Sequence, residues 1–248
     1  MMNNDAYLLK KTAGQIALEI AYDSIFPNKC LFCRRVLDVL RENICGNCRK
    51  AAIFKQEIGD NVFENIYKAH VAYDYDEEVV RHAVLRFKYE GKRLLARAMA
   101  RGMFEQFGKP EEPLADFIVC VPLHESRMKE RGFNQSALLA VELSGLYGLP
   151  AYDGLLRSRE TAKQFDLNPE ERAANVAGVF AAKEGFCVAG KDVLLMDDVL
   201  TTGATAMECA GTLMKAGAGS VSLMTFAAVK PWGGPFKGLS YNFEEVEK

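Results

Sequence analysis

Between Val193 and Thr205 the chain reads VLLMDDVLTTGAT: four apolar residues, two adjacent carboxylates, and a loop of hydroxyls and glycine that opens a helix. A short continuous apolar run such as Val193 to Met196 suits a strand buried on both faces of a parallel sheet. Ligands of such sheets bind beyond the carboxyl ends of the strands. Asp197 and Asp198 are expected there. Neighbouring strand residues point to opposite faces, so a bend is needed before both carboxylates can meet one ligand. Ionised carboxylates only accept hydrogen bonds, which makes vicinal hydroxyls natural partners.

The residues that follow form an anion cradle. Thr201, Thr202, Gly203, Ala204 and Thr205 offer small side chains, three hydroxyls and uncovered amide hydrogens where a helix begins, and helix N-termini attract anions. Gly203 allows close approach of backbone to ligand. Acceptors for sugar hydroxyls beside a nest for phosphate describe a site for a ribose 5-phosphate. A helix-capping loop after an ordinary strand would explain a lone TTG, but not the whole order of apolars, acids and threonines.

A chain of 248 residues, 49% hydrophobic and 26% charged, is ordinary for a globular enzyme-sized protein. The net charge of −2 selects no partner. No apolar run reaches the length of a membrane span, and the N-terminus MMNNDAYLLKK lacks the order of a secretion signal. Seven cysteines, an odd number, fit a reducing cytoplasm better than a disulfide framework.

Four of those cysteines make a second signal. Cys30 with Cys33 and Cys45 with Cys48 are two CxxC knuckles separated by eleven residues, a spacing that suits one tetrahedral zinc. Four thiolates leave no open coordination position, so the expected metal is structural; a redox CxxC pair is the rival. Cys120 and Cys209 stand in apolar surroundings and read as small core residues. The knuckles are also basic, with Lys29, Arg34, Arg35, Arg41, Arg49 and Lys50 against Asp38 and Glu42. That charge raises the prospect of nucleic-acid contact, with Phe32 as a stacking group. It would equally neutralise a dianionic metal centre.

The remaining pattern is strand and helix in alternation. Residues 6–25 carry a helix-like face of Leu9, Ala13, Ile16 and Ile20, closed by Pro27, that suits packing on the main domain or a partner. Residues 65–75 alternate as a strand, and helices are predicted around 79–87 and 94–107, joined by KYEGKR. After residue 115, DFIVCVPL, AYDGLLR, GVFAA, VLLMDDV and SVSLMTFAAV read as strands, with helices over FNQSALLAVELSGLYG and from Thr202 to Ala216. A parallel, doubly wound α/β sheet flanked by helices is expected. Its rim loops carry His124, Arg127, Lys129 and Arg131 after one strand, and Arg157, Arg159 and Lys163 after another, cations suited to a diphosphate. A histidine at a strand end is more often structural than catalytic.

VLLMDDVLTTGAT resembles the 5-phosphoribosyl 1-diphosphate (PRPP) motif of type I phosphoribosyltransferases. Taken with the paired CxxC knuckles, LRFKYEGKRLLA, VPLHESRMKERGFNQ and RSRETAKQFDLNPEERAANVAGVF, the chain resembles the ComF family over nearly its whole length. That resemblance implies a small four-cysteine zinc module on a type I phosphoribosyltransferase-like domain that binds PRPP with magnesium, in proteins associated with DNA uptake. The implied boundaries are 1–54 for the N-terminal helix and zinc module and 55–248 for the main domain. Within the latter, 55–115 form a hood, 116–230 the core sheet and 231–248 a tail. Asp197 and Asp198 would hold the ribose hydroxyls and steady the cationic sugar, Thr201 to Thr205 the 5-phosphate, and Arg127 and Arg131 the diphosphate. The stretch Arg157 to Arg172, with Thr161 and Gln164, would close over it. A non-catalytic PRPP sensor that holds single-stranded DNA through the zinc module, and a transcriptional regulator on the same domain, remain as alternatives.

Overall fold

The computed structural model describes residues 4–25, 27–37, 43–52, 56–58, 63–91, 93–111, 113–158 and 178–229. Among them one mostly parallel sheet organises the chain. It contains β1 (Leu8–Leu9), β2 (Gln56–Ile58), β3 (Ala69–Asp74), β4 (Phe117–Cys120), β5 (Ala151–Tyr152), β8 (Asp192–Leu200) and β9 (Ser220–Ala228). The spatial order is β1-β5-β4-β8-β9-β3-β2, with the inner five parallel and β1 and β2 antiparallel at the edges. β6 (Leu155–Arg157) and β7 (Phe180–Ala182) pair separately.

Helices cover both faces. α3 (Glu78–Tyr89), α4 (Leu95–Phe107) and α6 (Gln135–Tyr147) bury Phe87, Met99 and Leu143 in one apolar cluster with Leu194 and Met196 of β8. On the other face α7 (Ala204–Lys215) packs Cys209 and Leu213 with Val193 and Leu195. Alternation along β8 thus feeds two cores, as expected for a strand covered on both sides. Cys120 and Cys209 are buried as expected.

Several elements depart from the sequence expectation. The first long helix, α1 (Ala13–Ile25), starts later than residue 6, because a capping box precedes it: Thr12 N–H donates to Gln15 Oε1 at 2.8 Å and Gln15 N–H to Thr12 Oγ1 at 3.2 Å. Leu8 and Leu9 instead pair with Tyr152 and Ala151. Ile16 and Ile20 stay exposed, and the segment is tethered by Lys11, which reaches Glu19 and Glu142 at 2.7 Å each. AYDGLLR is two strands rather than one, broken at Gly154. The Phe186 ring lies so close there that a Cβ would come within 2.2 Å of it. Within HESRMKER a short helix, α5 (Glu125–Arg131), replaces the expected loop; His124 caps it by accepting from Ser126 N–H at 3.2 Å.

The cysteine-bearing segment, which ends in the short helix α2 (Gly46–Ala51), belongs to the same core. Leu31, Phe32 and Ile44, together with three of its cysteines, join the cluster of α3, α4 and α6, and Arg86 of α3 donates to the carbonyls of Leu31 and Phe32. Phe32 is only 3% exposed, packed edge-on against Tyr73 with centroids 5.2 Å apart and tilted against Phe226. It is therefore unavailable to stack on a base. Phe32→Ala should destabilise the fold by about 3–5 kcal/mol; a denaturation midpoint equal to wild type would show that this packing is idle.

Candidate functional site

Where β4 and β8 lie side by side, the chain leaves them in opposite directions. β4 leads through α5 to α6 on one face, and β8 leads to α7 on the other. Such a switch point opens a crevice at the carboxyl ends of the two strands, the usual ligand position in open α/β sheets. β4 stops at Cys120 opposite Met196, while β8 continues to Leu200.

Asp197 and Asp198 stand at this crevice, within the strand rather than beyond it. Regular strand geometry therefore sends their side chains to opposite faces. Asp197 is in register with Thr225, which belongs with Val71 of the α7 face, and Asp198 follows Met196 toward the α3 face. A shared local bond ties them nonetheless: Asp198 N–H donates to Asp197 Oδ1 at 2.8 Å. Ser136 Oγ, from the first turn of α6, donates to the same oxygen at 2.9 Å. Lys88 Nζ of α3 meets Asp198 Oδ2 at 3.0 Å.

Burial holds the Asp197 carboxyl well above the ordinary carboxylate range, and the neighbouring Asp198 charge adds to the shift. The Asp198 amide, Lys88 and Ser136 oppose it. On the α7 side, burial pushes the Cys209 thiol up, Asp197 reinforces that shift and Arg157 opposes it.

Behind the carboxylates the threonine turn is compact. Gly203, at φ +78°, occupies the N-cap of α7, and a Cβ there would come within 2.8 Å of the Phe63 ring. Glycine is required both by the left-handed backbone and by that ring. Thr202 is buried, its hydroxyl 3.5 Å from the Ala204 amide, whereas Thr201 and Thr205 are partly exposed. The turn runs straight into a helix of 12 residues, the setting in which amide hydrogens favour an anion.

The expected cations are distributed unevenly. Arg127 pairs with Glu130 of its own helix at 2.6 Å. Arg131 stacks over the Tyr89 ring, 5.2 Å from its centroid, and donates to Gln135 at 3.2 Å. Arg157 lies over Phe180 at 5.6 Å. Arg159, Thr161, Lys163, Gln164 and Arg172 lie outside the described residues. The sequence reading missed Lys88, Ser136 and Thr225, whose buried hydroxyl makes no hydrogen bond among the described residues. Lys88 lies in the KYEGKR joint and Ser136 two residues after the Asn134 cap of α6, signals of local structure that say nothing about which carboxylate each would meet.

At the far side of the same core, Cys30, Cys33, Cys45 and Cys48 place their sulfurs within 4.8 Å of one another, with Cys33 and Cys45 at 3.6 Å. A tetrahedral zinc with Zn–S near 2.3 Å implies S–S edges of about 3.8 Å. The cluster could therefore hold a metal ion, and its dimensions are consistent with zinc.

The desolvated acid gives a pH dependence with a definite sign. A carboxyl with a raised folded-state pKa binds its proton more tightly in the native chain, so the stability it contributes is complete below about pH 4 and is lost as pH rises through the raised value. Asp197→Asn removes that loss. Its denaturation midpoint, measured relative to wild type, should climb from pH 5 to pH 8; a difference that stays flat or falls contradicts the assignment.

No family model matches the chain. Curated relatives do. Competence protein ComFC of Streptococcus pneumoniae is 30% identical over 203 residues, covering 81% of this chain and 87% of that protein. Competence protein F of Haemophilus influenzae is 25% identical over 227 residues, covering 82% and 98%. DNA utilization protein YhgH of Salmonella typhi is 35% identical over 146 residues, covering 56% and 63%. Among solved structures, adenine phosphoribosyltransferase from Leishmania tarentolae aligns with 73% of this chain and 99% of that one, at 16% identity and a TM-score of 0.38. Identity at the pneumococcal level, sustained along most of both chains, exceeds what one shared site would leave, and the chain belongs to the ComF family of competence proteins.

Proposed function

We propose that the crevice between β4 and β8 binds PRPP and that the protein is a phosphoribosyltransferase-type member of the competence machinery. The observation that carries this reading is a single continuous segment, from buried strand through paired carboxylates to a left-handed glycine at a helix N-terminus, lying at the switch point of the sheet. The mostly parallel sheet and the names of the relatives support it.

In this reading Asp198 and Asp197 approach the ribose hydroxyls from the two faces of β8, at the edge left open past the end of β4, and the amides and hydroxyls of Thr201 to Thr205 surround the 5-phosphate. Arg131 and Arg127 stand on the β4 side, where the diphosphate would lie, and Arg157, with Arg159 and Lys163 after it in the chain, would add further cations. Magnesium would enter as the chelate of the diphosphate and neutralise the leaving charge. Loss of diphosphate from C1 leaves an oxocarbenium-like sugar, and a carboxylate fixed beside it stabilises that positive charge without reorganising. The four cysteines would hold a structural zinc that joins their segment to the α3–α4 face.

Calorimetry with PRPP and magnesium tests the binding claim. The doubly substituted protein Asp197→Ala, Asp198→Ala should bind at least about a hundredfold more weakly while retaining its metal and its fold; wild-type affinity in that variant would sink the reading. Turnover is read separately, as diphosphate release dependent on one acceptor from a panel of nucleobases and ammonia. Saturable binding without release would instead support a PRPP-sensing module.

A second reading, nucleic-acid contact by the cysteine segment, draws on its exposed cations Lys29, Arg34, Arg35 and Lys50 and on the name of the Salmonella relative. Affinity for a single-stranded oligonucleotide should then fall linearly in log–log form as salt rises, and charge removal at Arg34 and Arg35 should flatten the slope. No binding at low salt would dispose of this role.

A further inference from the structure

Lys88 is the cation that stands directly on the carboxylate pair, and the pentose-phosphate reading alone gives it no task. It projects from the last turn of α3, its side chain 20% exposed, and meets the buried carboxylate of Asp198. The next residue, Tyr89, is clamped by Arg131, which stacks on its ring and reaches its hydroxyl at 3.5 Å. Phe87, one residue before Lys88, is fully buried and anchors the backbone of that turn. What remains free to move is the four-methylene stem of Lys88, a compact ammonium on a pivot.

Charge balance says when it would move. Asp198 lies beside the desolvated carboxyl of Asp197, and a buried carboxylate needs a cation or several donors. With Lys88 in place that need is met. Sugar hydroxyls donating to Asp198 would meet it as well, and the ammonium would then become the poorly satisfied ion. If the ligand carries a second anion near C1, Lys88 gains a new partner as it leaves the old one. A sugar with only the remote 5-phosphate gives it none, so binding must strip a buried pair and leave one charge uncompensated.

We propose that Lys88 is an exchangeable counter-ion of Asp198, paired with the carboxylate as seen here and handed to an anionic substituent at C1 when the diol binds, so that the crevice selects pentose phosphates bearing a second anion. This deepens, and rests on, the assignment of the carboxylates to a pentose phosphate. Lys88 is thus a specificity-determining residue. A purely structural strut between α3 and β8 would have a different signature.

The test compares two ligands, PRPP with magnesium and ribose 5-phosphate, by calorimetry on wild type, Lys88→Met and Lys88→Arg. Lys88→Met should weaken PRPP at least about tenfold, as loss of one charge-assisted contact implies, while ribose 5-phosphate binds as tightly as to wild type or more tightly. Lys88→Arg, which keeps the charge, should stay within about threefold of wild type for both ligands. Equal weakening of both ligands by Lys88→Met, or no weakening of PRPP, overturns the proposal and leaves a strut. If wild type itself binds neither ligand, the pentose-phosphate assignment has failed, and the counter-ion role falls with it. Should Lys88→Met not fold, Lys88→Gln is read by the same ratio of affinities, which a general loss of stability does not shift.

Discussion

The parting of the chain at β4 and β8 is the constraint on which the rest of the structure depends. Two parallel neighbours must send their crossovers to opposite faces, and each departing segment then covers a different core. Because β4 ends four residues before β8, the last part of β8 loses a neighbour on that side just where its sequence turns acidic. The first turn of α6 lies beside that gap, and its Ser136 hydroxyl donates to the Asp197 carboxylate there.

Two adjacent carboxylates in so sheltered a place are costly, and the fold meets that cost with specific groups. Water would solvate them in the unfolded chain; here a serine hydroxyl, one amide hydrogen and one lysine take its place. The result is asymmetric. Asp198 faces a cation, whereas Asp197 is held, among the described residues, only by the Ser136 hydroxyl and the Asp198 amide and binds its proton more tightly than an ordinary carboxyl. Such unequal environments for two like groups are characteristic of sites that handle charge, where one carboxyl must differ from the other.

The cysteine segment shows how a small metal module becomes part of a larger core. Its own apolar residues are few, so it borrows a hydrophobic face from α3 and α4. Arg86 donates to its backbone carbonyls, and Arg49 bonds Glu105 of α4 at 2.9 Å. The helix that carries Arg86 also carries Lys88. One rigid element therefore spans the metal module and the crevice, with Phe87 buried between these two residues.

Much of this was legible in local sequence, because the relevant physics is local. A run of Val193 to Met196 has no polar face and so must lie between two layers; cysteines at two-residue spacing converge whatever surrounds them; Gly203 is needed wherever strand turns sharply into helix. The capping box at Thr12 and Gln15 is equally local, but the apolar spacing of residues 6–25 overrode it in the sequence reading. Other features depend on residues distant in sequence. Nothing near Leu8 announces pairing with Tyr152, nothing near Lys88 names Asp198, and the exposed look of Phe32 in a basic stretch concealed its place against Tyr73 and Phe226. The sequence by itself determined which segments are buried strands, which turn must be glycine and where four thiols gather. Only the tertiary structure decided that β8 runs on through its two acids and which groups stand against each, since the path of the crossovers sets which distant side chains share one desolvated crevice.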